Sequence, residues 1–229
     1  MIFAIMSKTN SILSSHSLLS FILLGLMPIS AKAQDEPDFT DNYSKLSLSL
    51  DITQPVHSGY GVTAHSNHTL SGIGISYLWG FNVTSHQLPL FLEVGPECRF
   101  VRSTEEIDYW EDNTLTQHDE VNTRLLTLST PVNLTYFCQL TDALVLAPSA
   151  GLNLKANLLA TKRSIGHSID LFDQDAHRLQ LGWNVGCGLT FDRYCLSLRY
   201  QADFTSFMTE GRVSERFQSL SLSLGYFLR

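Results

Sequence analysis

The alternation of residue types in the last thirteen residues is the feature that most constrains how this chain can fold. From Phe217 to Arg229 the sequence reads FQSLSLSLGYFLR, and every second residue from Leu220 to Leu228 is leucine or tyrosine. The residues between them are serine, glycine and phenylalanine. A period of two indicates a strand whose two faces meet different environments. One face of this strand is apolar, and the other is small and mostly polar.

The same alternation recurs along the chain and predicts eight strands. No stretch has helical periodicity over a useful length, and no apolar run reaches the roughly 20 residues that a membrane-spanning helix needs. Large apolar side chains share one face of each stretch, and charged or small residues share the other, which predicts an all-β, eight-stranded antiparallel up-and-down transmembrane β-barrel. The predicted strands are Tyr43–Thr53, Thr69–Phe81, Leu88–Arg102, Val121–Cys138, Ala143–Thr161, His177–Phe191, Tyr194–Phe207 and Phe217–Arg229.

The connections between these strands alternate between long and short. This is the rhythm of barrels with long external loops and short periplasmic turns. The predicted external loops are Pro55–His68, Ser103–Glu120, Lys162–Ala176 and Ser206–Glu215. Aromatic residues near the strand ends predict two interfacial girdles, with Tyr43, Phe81, Tyr136, Phe191, Tyr194 and Tyr226 at the periplasmic rim and Phe100, Phe204 and Phe207 at the other.

The N-terminal segment has the pattern of an export signal. Lys8 supplies the positive charge, an apolar core runs from Leu18 to Met27, and Ala31-Lys32-Ala33 is a cleavage site of the A-x-A type. We therefore expect residues 1–33 to be a cleaved signal peptide, 34–42 a short periplasmic leader and 43–229 the barrel. Removal of Lys8 and Lys32 changes the formal charge from -7 to about -9, which argues against nucleic acid as a partner.

The four cysteines, Cys98, Cys138, Cys187 and Cys195, leave two interpretations open. An exported protein can pair its cysteines, and Cys187 and Cys195 flank one short turn. Cys98 and Cys187 also lie on apolar faces, where a free thiol serves as a small hydrophobe.

Several stretches together resemble the porin-family outer-membrane β-barrel proteins of Gram-negative bacteria. They are the signal peptide, the alternation over nearly all of residues 34–229, the hairpin PVNLTYFCQLTDALVLAPSAGLNL (Pro131 to Leu154) and the closing SLSLGYFLR. The resemblance implies residence in the outer membrane, contact with its lipid and lipopolysaccharide, and insertion by the barrel-assembly machinery. One departure is the last residue, Arg229, where an aromatic residue is common, so Tyr226 and Phe227 would have to provide the assembly signal.

Charged residues on the inward faces are the candidate functional residues. An eight-stranded barrel is only wide enough inside for its own side chains, and unpaired buried charge is costly. We therefore expect a salt-bridged polar network that plugs the lumen; a narrow ion or solute pore lined by Glu93, Glu97 and Arg99 is the alternative. The candidate residues are Asp51, Glu93, Glu97, Arg99, Lys155, Arg178, Arg199 and Asp203.

Other chemistry has weaker support in the sequence. A lipid-modifying enzyme would need a catalytic set such as Ser66 with His65 and His68, or His118 with Asp119 and Glu120, but no spacing assembles one. The motif His65-x-x-His68 with His57 is a poor metal-ligand pattern. No nucleotide or cofactor motif is present, so we expect no cofactor and no enzyme activity. The sequence favours a structural or surface-interaction protein whose external loops meet a protein partner.

Overall fold

Eight antiparallel strands follow one another along the chain, and the last pairs with the first, so that the sheet closes into a barrel. The computed structural model describes residues 6–8, 41–59, 62–65, 69–84, 88–111, 114–164, 167–210 and 213–228. The expected eight-stranded up-and-down barrel is confirmed. Its strands are β1 (Tyr43–Gly59), β2 (Leu70–Asn82), β3 (Leu90–Val94, continued by Glu97–Glu111), β4 (Thr114–Tyr136), β5 (Leu144–Ser164), β6 (Leu179–Phe191), β7 (Tyr194–Asp203) and β8 (Val213–Leu228).

Pairing between β8 and β1 closes the ring. Every residue of β8 has a partner in β1, from Val213 opposite Gly59 to Leu228 opposite Ser44. Closure matters because lipid offers no hydrogen-bond partner to the backbone, so that a spanning sheet must leave no open edge.

Side chains alternate between the outside and the inside of the ring along most of each strand. On the outward face Leu48 is 60% exposed and Ile73 is 62% exposed. On the inward face Asp51 and Ser221 are each 1% exposed. A soluble barrel has the opposite distribution, with polar residues outside. The outward leucine, isoleucine, valine and aromatic side chains form an apolar belt, as in a transmembrane barrel.

The two ends of the barrel differ in their connections. The turn rim carries both ends of the ring, Tyr43 and Leu228, and the short connections 83–89, 137–143 and 192–193; the second of these contains the short strand Cys138–Thr141. The loop rim carries the longer connections. They contain the short strands Val62–His65, His167–Asp170 and Met208–Glu210 and the 3-10 helix Leu171–Gln174.

The prediction that residues Ser103–Glu120 form a loop was wrong, because most of them form paired strand. The β3–β4 ladder continues to Glu111 opposite Thr114, with one irregularity between Tyr109 and Trp110. Beyond the belt neither face of the hairpin has to be apolar to meet lipid, so the alternation in the sequence that marks a spanning strand disappears. Threonine, isoleucine and aromatic residues still favour the extended backbone there. The other three predicted loops also contain paired strand.

Gly95 explains why β3 is interrupted at Gly95-Pro96. A side chain at Gly95 would place its Cβ 2.0 Å from the backbone oxygen of Tyr77 on β2, so only glycine allows this close approach. Backbone hydrogen bonding between β2 and β3 resumes at the next residue, where the amide of Tyr77 donates to the Pro96 carbonyl at 3.0 Å. The register is the same on both sides of Gly95-Pro96, because Trp79 lies opposite Val94 and Ser76 lies opposite Glu97. Glu93 and Glu97 therefore both point into the barrel.

Two of the predicted girdle aromatics lie inside the barrel. Phe81, Tyr136, Phe191 and Tyr194 are exposed on the outside near the turn rim, and Tyr194 packs against Tyr226 with ring centroids 5.4 Å apart. Tyr43 instead packs against Phe91 in the lumen, and Phe207 is 1% exposed.

All four cysteines are free thiols. Cys187 is exposed on the outside of the barrel, whereas Cys195 is 3% exposed on the inside. Neighbours on one turn that face opposite sides of a sheet cannot form a disulfide without backbone movement.

The N-terminal predictions fall largely outside the described residues. Of the expected signal peptide only Met6–Lys8 is described, as a short strand opposite Asp108–Glu106. Of the expected leader only Asp41 and Asn42 are described. Within the described residues no helix has the length and apolar character needed to span a membrane.

An arginine in the middle of the apolar belt should prevent stable insertion. Leu198 is 50% exposed and lies opposite Leu222 at the middle of β7. We expect Leu198→Arg to cost about 2–4 kcal/mol, because arginine is far from water at that depth. Leu140→Arg is the matched control, since Leu140 is 54% exposed at the turn rim and should cost about 0–1 kcal/mol there. Folding into lipid vesicles, followed by electrophoretic mobility without boiling, measures both; equal costs would contradict the position of the belt.

Candidate functional site

Eight charged side chains fill the middle of the lumen, and they all come from the odd-numbered strands. β1 supplies two, β3 three, β5 one and β7 two, and the even-numbered strands contribute serine, threonine, asparagine, glutamine and glycine. Long side chains thus reach across small ones, which is how a narrow barrel can be filled. The eight residues are Lys45, Asp51, Glu93, Glu97, Arg99, Lys155, Arg199 and Asp203.

Glu97 lies at the centre of this polar core. One of its carboxylate oxygens accepts from the guanidinium of Arg99 and the other from that of Arg199. Arg99 also lies beside Asp51, with its Nε 3.6 Å from Oδ1. Asp51 accepts further hydrogen bonds from Ser221 and, at 2.8 Å, from Ser49. Strands β1, β3, β7 and β8 are therefore joined through one buried carboxylate–guanidinium cluster.

Glu93 organises a second cluster nearer the turn rim. One of its oxygens accepts from the Lys45 ammonium at 2.6 Å and from the Tyr43 hydroxyl at 2.7 Å. The other accepts from Thr135 at 2.8 Å. Glu93 is 3% exposed, and these three donors replace the water that it loses on burial.

A third cluster lies on the β4–β7 side of the lumen. The Lys155 ammonium donates to Asp203 at 2.5 Å, and Gln180 donates to the other oxygen of Asp203 at 3.2 Å. Asn157 donates to Gln180 at 2.8 Å and accepts from Thr127 at 3.0 Å. The hydrogen bonds of this cluster thus cross from β7 to β4 in steps.

The polar core is electrically balanced. Its four basic and four acidic side chains form ion pairs with one another. A neutral, paired interior fits a filled barrel, because each charge is held by its counter-ion.

An aromatic plug closes the turn rim. Tyr43, Phe91, Phe137 and Phe227 meet inside the barrel, and the ring centroid of Tyr43 is 5.1, 5.7 and 5.0 Å from those of the other three. Phe91 is 0% exposed. Aromatic packing at these distances is favourable beyond the area that it buries.

A loop cap closes the opposite end. The 3-10 helix and the segment before Met208 fold over the barrel mouth and bring Leu171 and Phe207 onto the inward residues of the strands. Phe207 packs on Phe217 with ring centroids 4.9 Å apart, and its backbone amide and carbonyl bond to Glu215 and His177. The buried members of the cap are Leu70, Val101, Leu125, Ala160, Leu171, Ala176, Phe207 and Phe217.

A small cavity remains between the polar core and the loop cap. Its volume is about 30 Å³, and Arg99, Lys155, Asn157, Gln180 and Phe217 contribute to its lining. A water molecule needs about 10–15 Å³ by this measure and several polar partners. The space therefore suits one or two water molecules.

Among the described residues, some buried polar atoms have no hydrogen-bond partner. They are Arg99 Nε, Asn133 Oδ1, Asn153 Oδ1, Asn184 Oδ1, Thr190 Oγ1 and Gln201 Nε2. Each such atom costs about 1–3 kcal/mol. In the lumen, the charged side chains are therefore paired with one another, whereas several amide side chains have an atom without a hydrogen bond.

Seven of the eight candidate residues lie together in the lumen, and Arg178 does not. Its side chain is exposed at the loop rim, where the guanidinium stacks over the Phe172 ring at 4.1 Å. The physical reason is position, since Arg178 precedes the first residue of β6 and lies beyond the interior. If Arg178 had pointed inward, it would have been the only long charged side chain that an even-numbered strand contributes to the polar core.

Both apolar closures were missed from the sequence. Their inward positions in the alternation could have indicated that four phenylalanines face the lumen: Phe91, Phe137, Phe217 and Phe227. Leu171 and Phe207 belong to connections, where no alternation exists to assign a direction.

The described residues give no geometric support to the catalytic and metal-binding hypotheses. Residues 66–68 lie outside the described residues, and so do the side chains of His65, His118 and Asp119. Glu120 is exposed and accepts from Asn122 at 2.8 Å. Among the described residues no three histidine, cysteine or acidic side chains form a metal-ligating group.

The arrangement of strands is similar to that of several solved structures. Ail, the attachment invasion locus protein of Yersinia pestis, is 15% identical, with 81% of this chain and 99% of that chain covered and a TM-score of 0.35. Neisserial surface protein A is 12% identical, with 79% and 96% covered and a TM-score of 0.38. OprG of Pseudomonas aeruginosa is 7% identical, with 82% and 96% covered and a TM-score of 0.37.

No protein-family model matches the sequence, and a comparison with curated proteins gives no match. The architecture of the chain follows from its own closed ring of strands.

Removal of the central carboxylate should strongly destabilise the barrel. In Glu97→Gln two buried arginines lose their shared counter-ion, and we expect a loss of about 3–5 kcal/mol. Urea unfolding of the inserted protein, followed by tryptophan fluorescence, measures the change. The exposed Glu120→Gln is the control and should change stability by no more than about 0.5 kcal/mol. A similar small change in both variants would show that Glu97 does not hold the core together.

Proposed function

We propose that this chain is an outer-membrane surface protein whose closed barrel anchors hairpins outside the cell. The observation that carries the proposal is the closure of the lumen at both ends around a neutral, ion-paired core. A barrel filled in this way offers no path for solutes. Its available surfaces are the apolar belt, which meets lipid, and the loop rim, which meets whatever lies outside the cell.

Three successive barriers support a lumen that does not conduct. The aromatic plug lies at one end, the polar core in the middle and the loop cap at the other end. The cavity beneath the cap is lined by residues of the cap and of the polar core, and none of the plug residues reaches it. Passage of an ion would require both apolar closures to move and several ion pairs to break.

The β3–β4 hairpin supports a surface role. After Phe100 in the apolar belt, β3 continues to Glu111, and at about 3.3 Å per residue these eleven positions extend roughly 35 Å. The segment from Glu105 to Glu120 is rich in acidic residues. A long acidic hairpin suits a basic protein partner, although a charged, solvated surface alone also explains it.

Export and assembly complete the proposal. The signal peptide at residues 1–33 would direct the chain out of the cytoplasm, and the assembly machinery would insert it into the outer membrane. The protein would act there without a cofactor and without enzymatic chemistry. The charged residues of the polar core support this, because they serve one another as ion-pair partners.

A narrow channel is the second candidate, favoured by the cavity of about 30 Å³ beside Arg99 and Lys155. The buried amide atoms without partners could contact water in an open state. This candidate requires that the cap and the plug open together.

Conductance across a planar lipid bilayer distinguishes the two candidates. We expect the wild-type protein, inserted and shown by its mobility without boiling to be folded, to give no stepwise current. Phe207→Ala, which thins only the cap, should remain closed because the plug and the polar core are intact. Stepwise current in the wild-type protein that changes in amplitude with Arg99→Gln would favour the channel. Recovery of the protein from the soluble periplasm, with no effect of boiling on mobility, would contradict residence in the membrane.

A further inference from the structure

Three arginine side chains lie together on the outside of the barrel at the loop rim. Arg102 is on β3, Arg124 on β4 and Arg163 on β5, and all three are exposed. Arg102 lies directly opposite Arg124 in the β3–β4 ladder. In the β4–β5 ladder Arg163 lies opposite Asn122, two residues from Arg124 on the same face.

The three guanidinium groups form no ion pair with the described residues of the protein. Within the described part of the chain, no carboxylate lies within ion-pair distance of any of them. Glu120, the outward acid nearest along β4, accepts its hydrogen bond from Asn122. The acids of the polar core lie on the other side of the barrel wall. This contrasts with the lumen, where every core charge is paired, and with the overall charge of -7.

Two like charges directly opposite each other in a sheet destabilise it. Arg102 and Arg124 are such a pair, and an anion between them would remove the repulsion. Guanidinium groups bind phosphate with two parallel hydrogen bonds, which makes arginine well suited to phosphate recognition.

The position of the group indicates where the anion comes from. Phe100 is an outward side chain of the apolar belt two residues before Arg102, and Leu159 is another, four residues before Arg163. The arginines are therefore the first outward charges beyond the belt, at the depth where lipid headgroups begin. Thr104 and Asn122 lie next to them and are hydrogen-bonded to each other at 2.8 Å, so the same face also carries hydroxyl and amide groups.

We propose that Arg102, Arg124 and Arg163 bind the phosphate groups of a glycolipid in the leaflet that the loop rim faces. The inference rests on the membrane residence proposed above. The bound phosphates would neutralise the arginine pair, fix the base of the β3–β4 hairpin, and orient the barrel with this side against the phosphorylated lipid.

The test compares stability in two kinds of vesicle. The full-chain protein is folded into phosphatidylcholine vesicles with or without bisphosphorylated lipid A, and the midpoint temperature of unfolding is measured from mobility without boiling. The variant is Arg102→Gln/Arg124→Gln. The control is Arg216→Gln, which removes a single exposed arginine on β8 opposite Val56. Arg163→Gln provides a milder variant in case the double variant folds poorly.

We expect lipid A to raise the midpoint of the wild-type protein and of Arg216→Gln. The double variant should bind lipid A at least about tenfold more weakly and lose most of the rise. In phosphatidylcholine alone it should unfold at the wild-type temperature or above, because the like-charge pair is gone. This dependence on the lipid distinguishes a binding site from a purely structural role.

Other outcomes would overturn the inference. An equal rise in the double variant and the control would show that these arginines do not bind the lipid. An equal rise with lipid A that lacks phosphates would exclude phosphate as the ligand, and an equal rise from inorganic phosphate in plain vesicles would exclude the lipid. Failure of the wild-type protein to insert into either vesicle would instead contradict the proposed membrane residence.

Discussion

The pairing of β8 with β1 closes the ring and governs the shape of the whole molecule. Once the ring of eight strands is closed, the interior has a fixed and narrow width, and every backbone group of a spanning strand can find a partner without water. Inward residues must then fill a small space completely, and outward residues must be apolar across the belt. The lumen, the belt and the two rims follow from this single pairing.

The narrow interior explains how the charges are distributed. Long charged side chains come from β1, β3, β5 and β7, while the strands between them supply small residues such as Ser221 and Gly74. Glu97 can therefore reach arginines on two different strands. Burying a charged network costs free energy, and leaving one of its charges unpaired costs more. The equal number of acidic and basic side chains therefore stabilises the filled lumen.

Much of the fold could be predicted from the sequence, because one face of each strand meets lipid and the other meets the lumen. That contrast assigned Leu48 to the outside and Asp51 to the inside without any structure. The prediction was wrong where the contrast is lost, as in the β3–β4 hairpin beyond the apolar belt, where neither face has to be apolar to meet lipid. It was also wrong for Tyr43 and Phe207, because an aromatic ring near a strand end suits both a lipid interface and an interior plug.

The architecture, the facing of the strands and the inward position of seven of the eight candidate residues could be predicted from the sequence, since all of these depend on a local period of two. Which charges pair could be seen only in the folded barrel, because Glu97 and Arg199 are far apart in the chain and meet through barrel closure. The tertiary structure also decided that Arg178 lies outside the core, and that Leu171 and Phe207 cap the lumen. The connections lack a regular alternation of apolar and polar residues. The direction of their side chains therefore depends on how each connection folds over the end of the barrel.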